Sequence, residues 1–365
     1  MLPLMNRRNL MKWLGLGGLT AAGGGVVVSK ASAGNRYYSG PTSPHFDGKN
    51  FFNPGGRKPS GFRDFMRWQF QETRSSWPSS WPSPHAPAKP EKRVEGDRLV
   101  VTMVGHATLL IQTAGLNILT DPVWAQRASP VGFAGPRRVN APGIAFEDLP
   151  PIDLILLSHN HYDHLDLTTL SRLRAVHSPQ VITPLGNDAI VHSHVPTMRV
   201  AAHDWGEQLL FRSIPIFLEP VHHWSARGVG DRSMALWAGF VIAAPGGNIY
   251  VVGDTGFHNG INYRAAAEKH KGFRLSILPI GAYEPRWFME AQHQNPEEAV
   301  EGMLLANSGY AAGHHWGTFQ LTNEPIDEPR DKLHAALDAR GVARDRFRAM
   351  QPGEAWEVPQ VSRAA

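Results

Sequence analysis

The nine residues SHNHYDHLD, Ser158 to Asp166, carry three histidines and two aspartates directly after the apolar run IDLILL. Imidazole and carboxylate are donors that divalent metals accept, and a chain leaving a strand alternates its side chains. His159 and His161 therefore point to one side with Asn160 turned away, and the two imidazoles can share one metal. As the chain bends into the helical pattern LDLTTLSRLRA, Asp163 and His164 become available for a second. The spacing H-x-H-x-D-H fits a two-metal site supplied largely by one loop.

Such a site needs further donors. VHHW (Val221 to Trp224), VVGDTG (Val251 to Gly256) and AGHHWGTF (Ala312 to Phe319) each place His or Asp just beyond an apolar run. Asp254 is suited to bridging, because its carboxylate has two oxygens. Neighbouring side chains on extended backbone face opposite ways, so one of His222 and His223, and one of His314 and His315, is expected to ligate; spacing does not choose between them. The chain has no cysteine, which excludes disulfides, thiolate sites and cysteine nucleophiles. A His and carboxylate site suits Zn²⁺, Mn²⁺ or Fe²⁺ in a working centre.

These donors must be placed by the elements that precede them. RLVVTMV, ATLLIQT and LNILTD read as short strands in meander spacing, and IDLILLS as a buried strand. VITP, TMRVA, SIPIFLE, the pair ALWAGFVIA and NIYVVGD around Pro245-Gly246-Gly247, and RLSILPI continue the series. NPEEAVEGMLLAN starts a helix with Asn295 as N-cap, Pro296 at N1 and Glu298 at N3. PRDKLHAALDARG gives a last helix stopped by Gly341. Two runs of strands with helices after each predict an α/β fold with two sheets face to face and helices outside.

At 365 residues with 42% hydrophobic content, the chain can bury a substantial core. Residues 1–33 read as a twin-arginine export signal. NRRNLMK precedes a Gly-rich apolar run, Trp13 to Val28, and an A-x-A pattern at Ala31-Ser32-Ala33. That predicts a bacterial periplasm or envelope address. Removing its four basic residues, Arg7, Arg8, Lys12 and Lys30, brings the 36 Lys and Arg to parity with the 32 Asp and Glu. The remaining chain is formally neutral, so nothing points to nucleic acid. Residues 34–92 are aromatic, Pro-rich and Ser-rich and read as a segment wrapping the surface of a hydrolase domain at 93–365. Within it GFRDFMRWQFQ has helical spacing of Phe62, Phe65, Met66 and Phe70. It is expected to dock on the core, or else to lie at a membrane surface through its basic and aromatic residues.

SHNHYDHLD with VGHATLLI upstream resembles the metallo-β-lactamase superfamily. More closely, the chain resembles the zinc phospholipase D family that hydrolyses N-acylphosphatidylethanolamine. TDPVWAQRASP, GPRRV, LPPID, GDTGF, PIGAYEPRWFM, QHQNPEEAV and HHWGTF occur in family order, from about His45 to the last strand. The resemblance implies a four-layer αββα sandwich with pseudo-twofold symmetry. It implies two Zn²⁺, one on His159, His161 and His223, the other on Asp163, His164 and His315, with Asp254 bridging. It further implies hydrolysis of a phospholipid to N-acylethanolamine and phosphatidic acid, with another ester, lactone or phosphodiester as the alternative on the same fold. His293 is expected near the substrate phosphate, to orient it or to protonate the leaving group, beside Asp163 and Asp254 in the catalytic set. Tyr283, Glu284 and Arg286 are expected at the pocket rim, and a homodimer follows from the family. His106 is expected either to support a ligand or to serve packing alone. Ala226 stands where the family commonly has a basic residue, while Arg227 remains, so headgroup contacts are expected to differ.

Overall fold

The computed structural model describes residues 34–228 and 230–361; residues 1–33, read from the sequence as an export signal, lie outside the described residues. The first sheet is built from β1 (Leu99–Gly105), β2 (Thr108–Thr113), β3 (Leu116–Thr120), β4 (Leu154–Leu156), β5 (Gln180–Pro184) and β6 (Arg199–His203). The second takes β7 (Gln208–Phe211), β8 (Ile214–Glu219), β9 (Gly239–Ile242), β10 (Ile249–Val251), β11 (Phe273–Pro279), β12 (Ser308–His314) and β13 (Phe347–Ala349). The last strand, β14 (Ala355–Glu357), crosses back to pair antiparallel with β1 in the first sheet. Strand order is β14-β1-β2-β3-β4-β5-β6 in one sheet and β13-β12-β11-β10-β9-β8-β7 in the other. In each half an antiparallel run gives way to parallel pairing, at β3 with β4 and at β10 with β11. That repeat is the pseudo-twofold.

Side-chain alternation creates the layers. In β2, Leu109 and Ile111 face the second sheet and join Ile216, Leu218, Phe240 and Ile277, whereas Leu110 faces outward. The outward face of the first sheet is covered by α2 (Leu167–Val176) and α3 (Asn187–His194), with Leu170, Leu173, Ile190 and Val191 buried. The second sheet is covered by α4 (Ile261–His270), α6 (Pro296–Leu305) and α7 (Glu328–Ala339), through Tyr263, Val300, Met303, Leu333 and Leu337. The result is helix, sheet, sheet, helix: an αββα sandwich. Each fully buried aliphatic chain contributes about 1.5–3 kcal/mol of transfer free energy. Asp166 starts α2 by accepting from the amides of Thr168 and Thr169, and Asn295 and Glu298 form a reciprocal capping box on α6.

The wrapping segment carries α1 (Phe62–Gln71). Its expected docking is narrow. Among its described side chains only Trp68 is buried, stacked on Phe288 of the short helix α5 (Arg286–Met289), while Phe65, Met66 and Phe70 are 39%, 37% and 49% exposed.

Candidate metal centre

Strand ends at one edge of the sandwich converge on the site. The chain delivers His106 after β1, Asp121 after β3, the loop Ser158–Asp166 after β4, His223 after β8, Asp254 after β10 and His315 after β12. All of these donors except the part-exposed His161 are buried.

Two donor sets form. His159 Nε2 and His223 Nε2 lie 2.9 and 3.2 Å from His161 Nδ1. His164 Nε2 and His315 Nε2 are 3.2 Å apart, with Asp163 Oδ2 at 3.4 and 3.2 Å from them. Donors on a tetrahedral zinc with bonds of about 2.0–2.1 Å sit roughly 3.3 Å apart, so both sets have the required edge length. Asp254 Oδ2 lies 3.2 Å from His164 and 3.0 Å from His315, and 3.9 Å from His159 and 3.7 Å from His223. It therefore faces both sets. His222 and His314 join neither group.

The surroundings fix which nitrogen faces inward. His164 Nδ1 donates to Asp121 Oδ2 at 2.7 Å. His223 Nδ1 donates to the Gln292 carbonyl at 2.9 Å. His159 Nδ1 donates to Ser158 Oγ, which itself donates to Asp121. Each of these bonds turns Nε2 toward the centre, where it is the atom offered to a cation. His106 Nε2 donates to Asp163 Oδ2 at 2.9 Å, so His106 supports a donor of the second set. The guanidinium of Arg227 spans the ligand loop, donating to the carbonyls of Asn160 and Leu165 at 2.9 and 2.8 Å and lying over the Tyr162 ring. Arg227 thereby holds the loop closed. Asp121 escaped sequence reasoning because Thr-Asp-Pro after a strand reads as a turn.

Two of the histidines at the centre sit on left-handed backbone. His106 and His315 adopt φ of 56° and 65°, joined by the His315 amide donating to the His106 carbonyl at 2.9 Å. A left-handed non-glycine residue costs on the order of 1–3 kcal/mol, which the surrounding contacts must offset. Gly281 lies so close behind that a Cβ there would sit 2.2 Å from the His315 carbonyl oxygen. PIGAY therefore braces His315 through Gly281. Tyr283 is fully buried, donating to Glu328 under Lys332, and Glu284 accepts from the Arg286 amide. Arg286 donates to the His293 carbonyl and to Glu298. Tyr283 thus lies in the core and not at the expected rim: Gly281 and Ala282, the latter at φ 61°, turn the chain beneath α7, while Glu284 and Arg286 are half-buried and Arg286 holds the His293 carbonyl.

Charge explains what the site accepts. Among the described residues, the cationic partners of Asp163 and Asp254 are all histidines. Burial opposes ionisation of Asp254, yet His315, His164 and His293 hold it well below the usual carboxylate range. Asp163, buried but beside His164, His106 and His315, is likewise lowered. Burial disfavours protonated His164, but Asp254, Asp163 and Asp121 outweigh it and raise it well above its usual value; His315, burial notwithstanding, rises to about 9 beside Asp254 and Asp163. In the first set, burial and then neighbouring imidazoles push His161 down to about 3, and burial takes His223 to about 4 despite Asp254. A donor set of oxygens and imidazoles around buried carboxylates fits divalent cations.

A sign follows for metal loading. At neutral pH the first set is already deprotonated, whereas His164 and His315 carry protons that a cation must displace. Affinity of the second set is expected to rise about tenfold per pH unit and proton displaced up to about 9, with proton release into the buffer. Titration calorimetry in buffers of different ionisation enthalpy reads this directly; no released protons at pH 7.5 would refute it.

The Beta-lactamase superfamily domain model matches residues 116–316. The chain is 40% identical over 274 residues to N-acyl-phosphatidylethanolamine-hydrolyzing phospholipase D 1 of Caenorhabditis elegans, covering 71% of this chain and 76% of that protein. It is 33% identical over 264 residues to the mitochondrial N-acyl-phosphatidylethanolamine-hydrolyzing phospholipase D of Saccharomyces cerevisiae, covering 70% and 56%. Among solved structures, isothiocyanate hydrolase from Delia radicum gut bacteria superposes with a TM-score of 0.55 at 22% identity, covering 70% of this chain and 98% of that one. That likeness is one of fold.

Proposed function

Because the chain belongs to the metallo-β-lactamase superfamily, in the family of the N-acylphosphatidylethanolamine-hydrolysing phospholipases D, and is a metallo-hydrolase, we propose that it is a dinuclear zinc phosphodiesterase cleaving N-acylphosphatidylethanolamine-like lipids. The observation that carries this reading is the pair of donor sets sharing Asp254 Oδ2, 3.0 to 3.9 Å from four imidazoles. His159, His161 and His223 would hold one ion, and Asp163, His164 and His315 the other. Mn²⁺ or Fe²⁺ suits the same donors. Two such ions supply a nucleophilic water at neutral pH and neutralise charge developing on a phosphoryl group.

The chain's own residues do the rest. Asp121, Ser158 and the Gln292 carbonyl keep the imidazoles aimed, and His106 orients Asp163. His293, with Nδ1 unpartnered and 4.0 Å from Asp254 Oδ2, can hold a proton for the departing oxygen. Water oxygen joins phosphorus, the bond from phosphorus to the ethanolamine oxygen breaks, and that oxygen takes the proton.

A lipid substrate suits the surface beside the site. α1 exposes Phe65, Met66 and Phe70 next to Trp287, with Arg67 over the Trp287 ring and Arg63 on the same helix. Aromatic and basic residues together are the composition of an interfacial helix. Among the described residues no helix is long and apolar enough to cross a membrane. The leader sequence supports an envelope address.

The test is incubation of the zinc-loaded protein with N-acylphosphatidylethanolamine in ¹⁸O-water, with products identified by mass. N-acylethanolamine without label and phosphatidic acid with one ¹⁸O are expected. Label in the alcohol, or turnover confined to lactones or carboxylic esters, would replace this reading with the alternative hydrolase.

A further inference from the structure

The wrapping segment touches the His223 and His315 turns directly and the ligand loop through Asp231 and Arg227. Asn53 Nδ2 donates to the carbonyl of His223 at 2.8 Å, and Asn53 Oδ1 accepts from Trp237 Nε1 at 3.0 Å. Trp237 Nε1 also donates to Val221 O at 3.0 Å, so Asn53 is seated on both sides of the Val221-His222-His223 turn. Three residues on, the backbone at Gly56 lies flush with the same turn: a Cβ there would meet the His222 ring at 2.9 Å. At the other HHW, the Trp81 ring packs edge-on against Trp316 and fills the space a Cβ on Gly317 would need. Tyr37 Oη donates to Asp231 Oδ2 at 2.9 Å. Asp231 in turn accepts from the amides of Arg227 and Gly228, and Arg227 holds the two ends of the ligand loop.

We propose that this strap is a working part of the metal centre, in which Asn53 and Tyr37 are positioning residues that set the His223 turn and, through Asp231 and Arg227, the H-x-H-x-D-H loop. The turn carrying His223 has one bridge, from the Gly256 amide to the His222 carbonyl, and beyond it the ligand keeps its direction only as well as its own carbonyl is held. Asn53 supplies that bond to His223, while Gln292 fixes its ring. Partners of this kind typically change metal affinity 10- to 100-fold, as roughly observed when groups supporting ligands are removed. The strap has other anchors that do not touch ligands: Asn35 to the Met234 carbonyl, Asn50 to the Arg232 carbonyl, and His45 to Asp204. Altering Asn53 therefore leaves the strap in place.

The inference rests on the reading that these donors hold metal ions, and the metal content of the unsubstituted protein tests that separately. The experiment compares the loaded protein with N53D, Y37F and H45A, measuring metal release to a chromophoric chelator, melting temperature, and the visible spectrum after Co²⁺ substitution. N53D keeps the acceptor for Trp237 but sets a carboxylate oxygen against the His223 carbonyl. It is expected to release metal about 10- to 100-fold faster with an altered Co²⁺ spectrum, Y37F more modestly in the same direction. H45A is expected to lose melting temperature while keeping wild-type release and spectrum. Wild-type release and spectrum in both N53D and Y37F, or accelerated release in H45A in proportion to its loss of stability, would overturn the proposal. Should N53D not fold, Y37F alone decides, since it removes a single part-buried hydroxyl.

Discussion

Asp254→Asn is expected to empty both metal positions and to lower turnover on the order of 10⁴-fold or more, because the nucleophile available at neutral pH depends on the ions. The substitution keeps shape and removes charge. Its effect on two positions follows from one atom: Asp254 Oδ2 lies 3.0 and 3.2 Å from the second set and 3.7 and 3.9 Å from the first. Asp163→Asn provides the contrast, since Asp163 Oδ2 meets His106, His164 and His315 and no donor of the first set within ion-pair distance. That variant is expected to lose one metal and retain the other. Metal content after dialysis against limiting chelator, read beside kcat, distinguishes the two. Retention of two full equivalents by Asp254→Asn would mean that the carboxylate is a neighbour of the centre and not a shared ligand.

The ligand loop was legible because four donors follow one strand exit at alternating spacing, and local periodicity is what a sequence displays. The choice within each HHW was not, since it depends on how the chain leaves the strand. His315 reaches the centre at φ 65°, pinned by the His106 carbonyl and crowded by Gly281, and no residue pattern announces that. The two sheets and the final two long helices announced themselves through alternation and caps. The helix α4 did not: INYRAAAEKH has no clean apolar stripe, and its N-cap is Gly260 at φ 70° instead of a side-chain acceptor. The strap read as a wrapping, linker-like segment on Pro and aromatic content, but Asn53 meets His223 across 170 positions. Contacts of that separation are set by tertiary packing alone. Tyr283 differs in another way: the resemblance of its motif put it at a pocket rim, whereas Ala282, at φ 61°, turns it into the core beneath α7.

His293→Ala is expected to keep both metals and lose about 10²- to 10⁴-fold in kcat, the range for removing a positioned acid or base. His293 stands beside the two donor sets and is a member of neither. Its Nδ1 stands 4.0 Å from Asp254 Oδ2 with no hydrogen-bond partner, while its ring is 5.0 Å from that of His223 and 5.2 Å from that of His315. Its backbone is fixed from both sides, the amide donating to the Met289 carbonyl and the carbonyl accepting from Arg286, so truncation of the ring leaves the turn intact. Burial holds this imidazole well below its usual value, against the pull of Asp254, so it is neutral until an anionic phosphate arrives beside it. A group that delivers a proton matters most when the departing oxygen is a poor leaving group. The loss in His293→Ala is therefore expected to be large for an alkyl phosphodiester and small for a nitrophenyl ester, whose phenolate departs unaided. Equal losses on both substrates would assign His293 to holding the phosphate and not to delivering the proton. Loss of a metal equivalent would instead place it among the ligands, a role for which His223, Asp254 and His293 converge closely enough to make the measurement necessary.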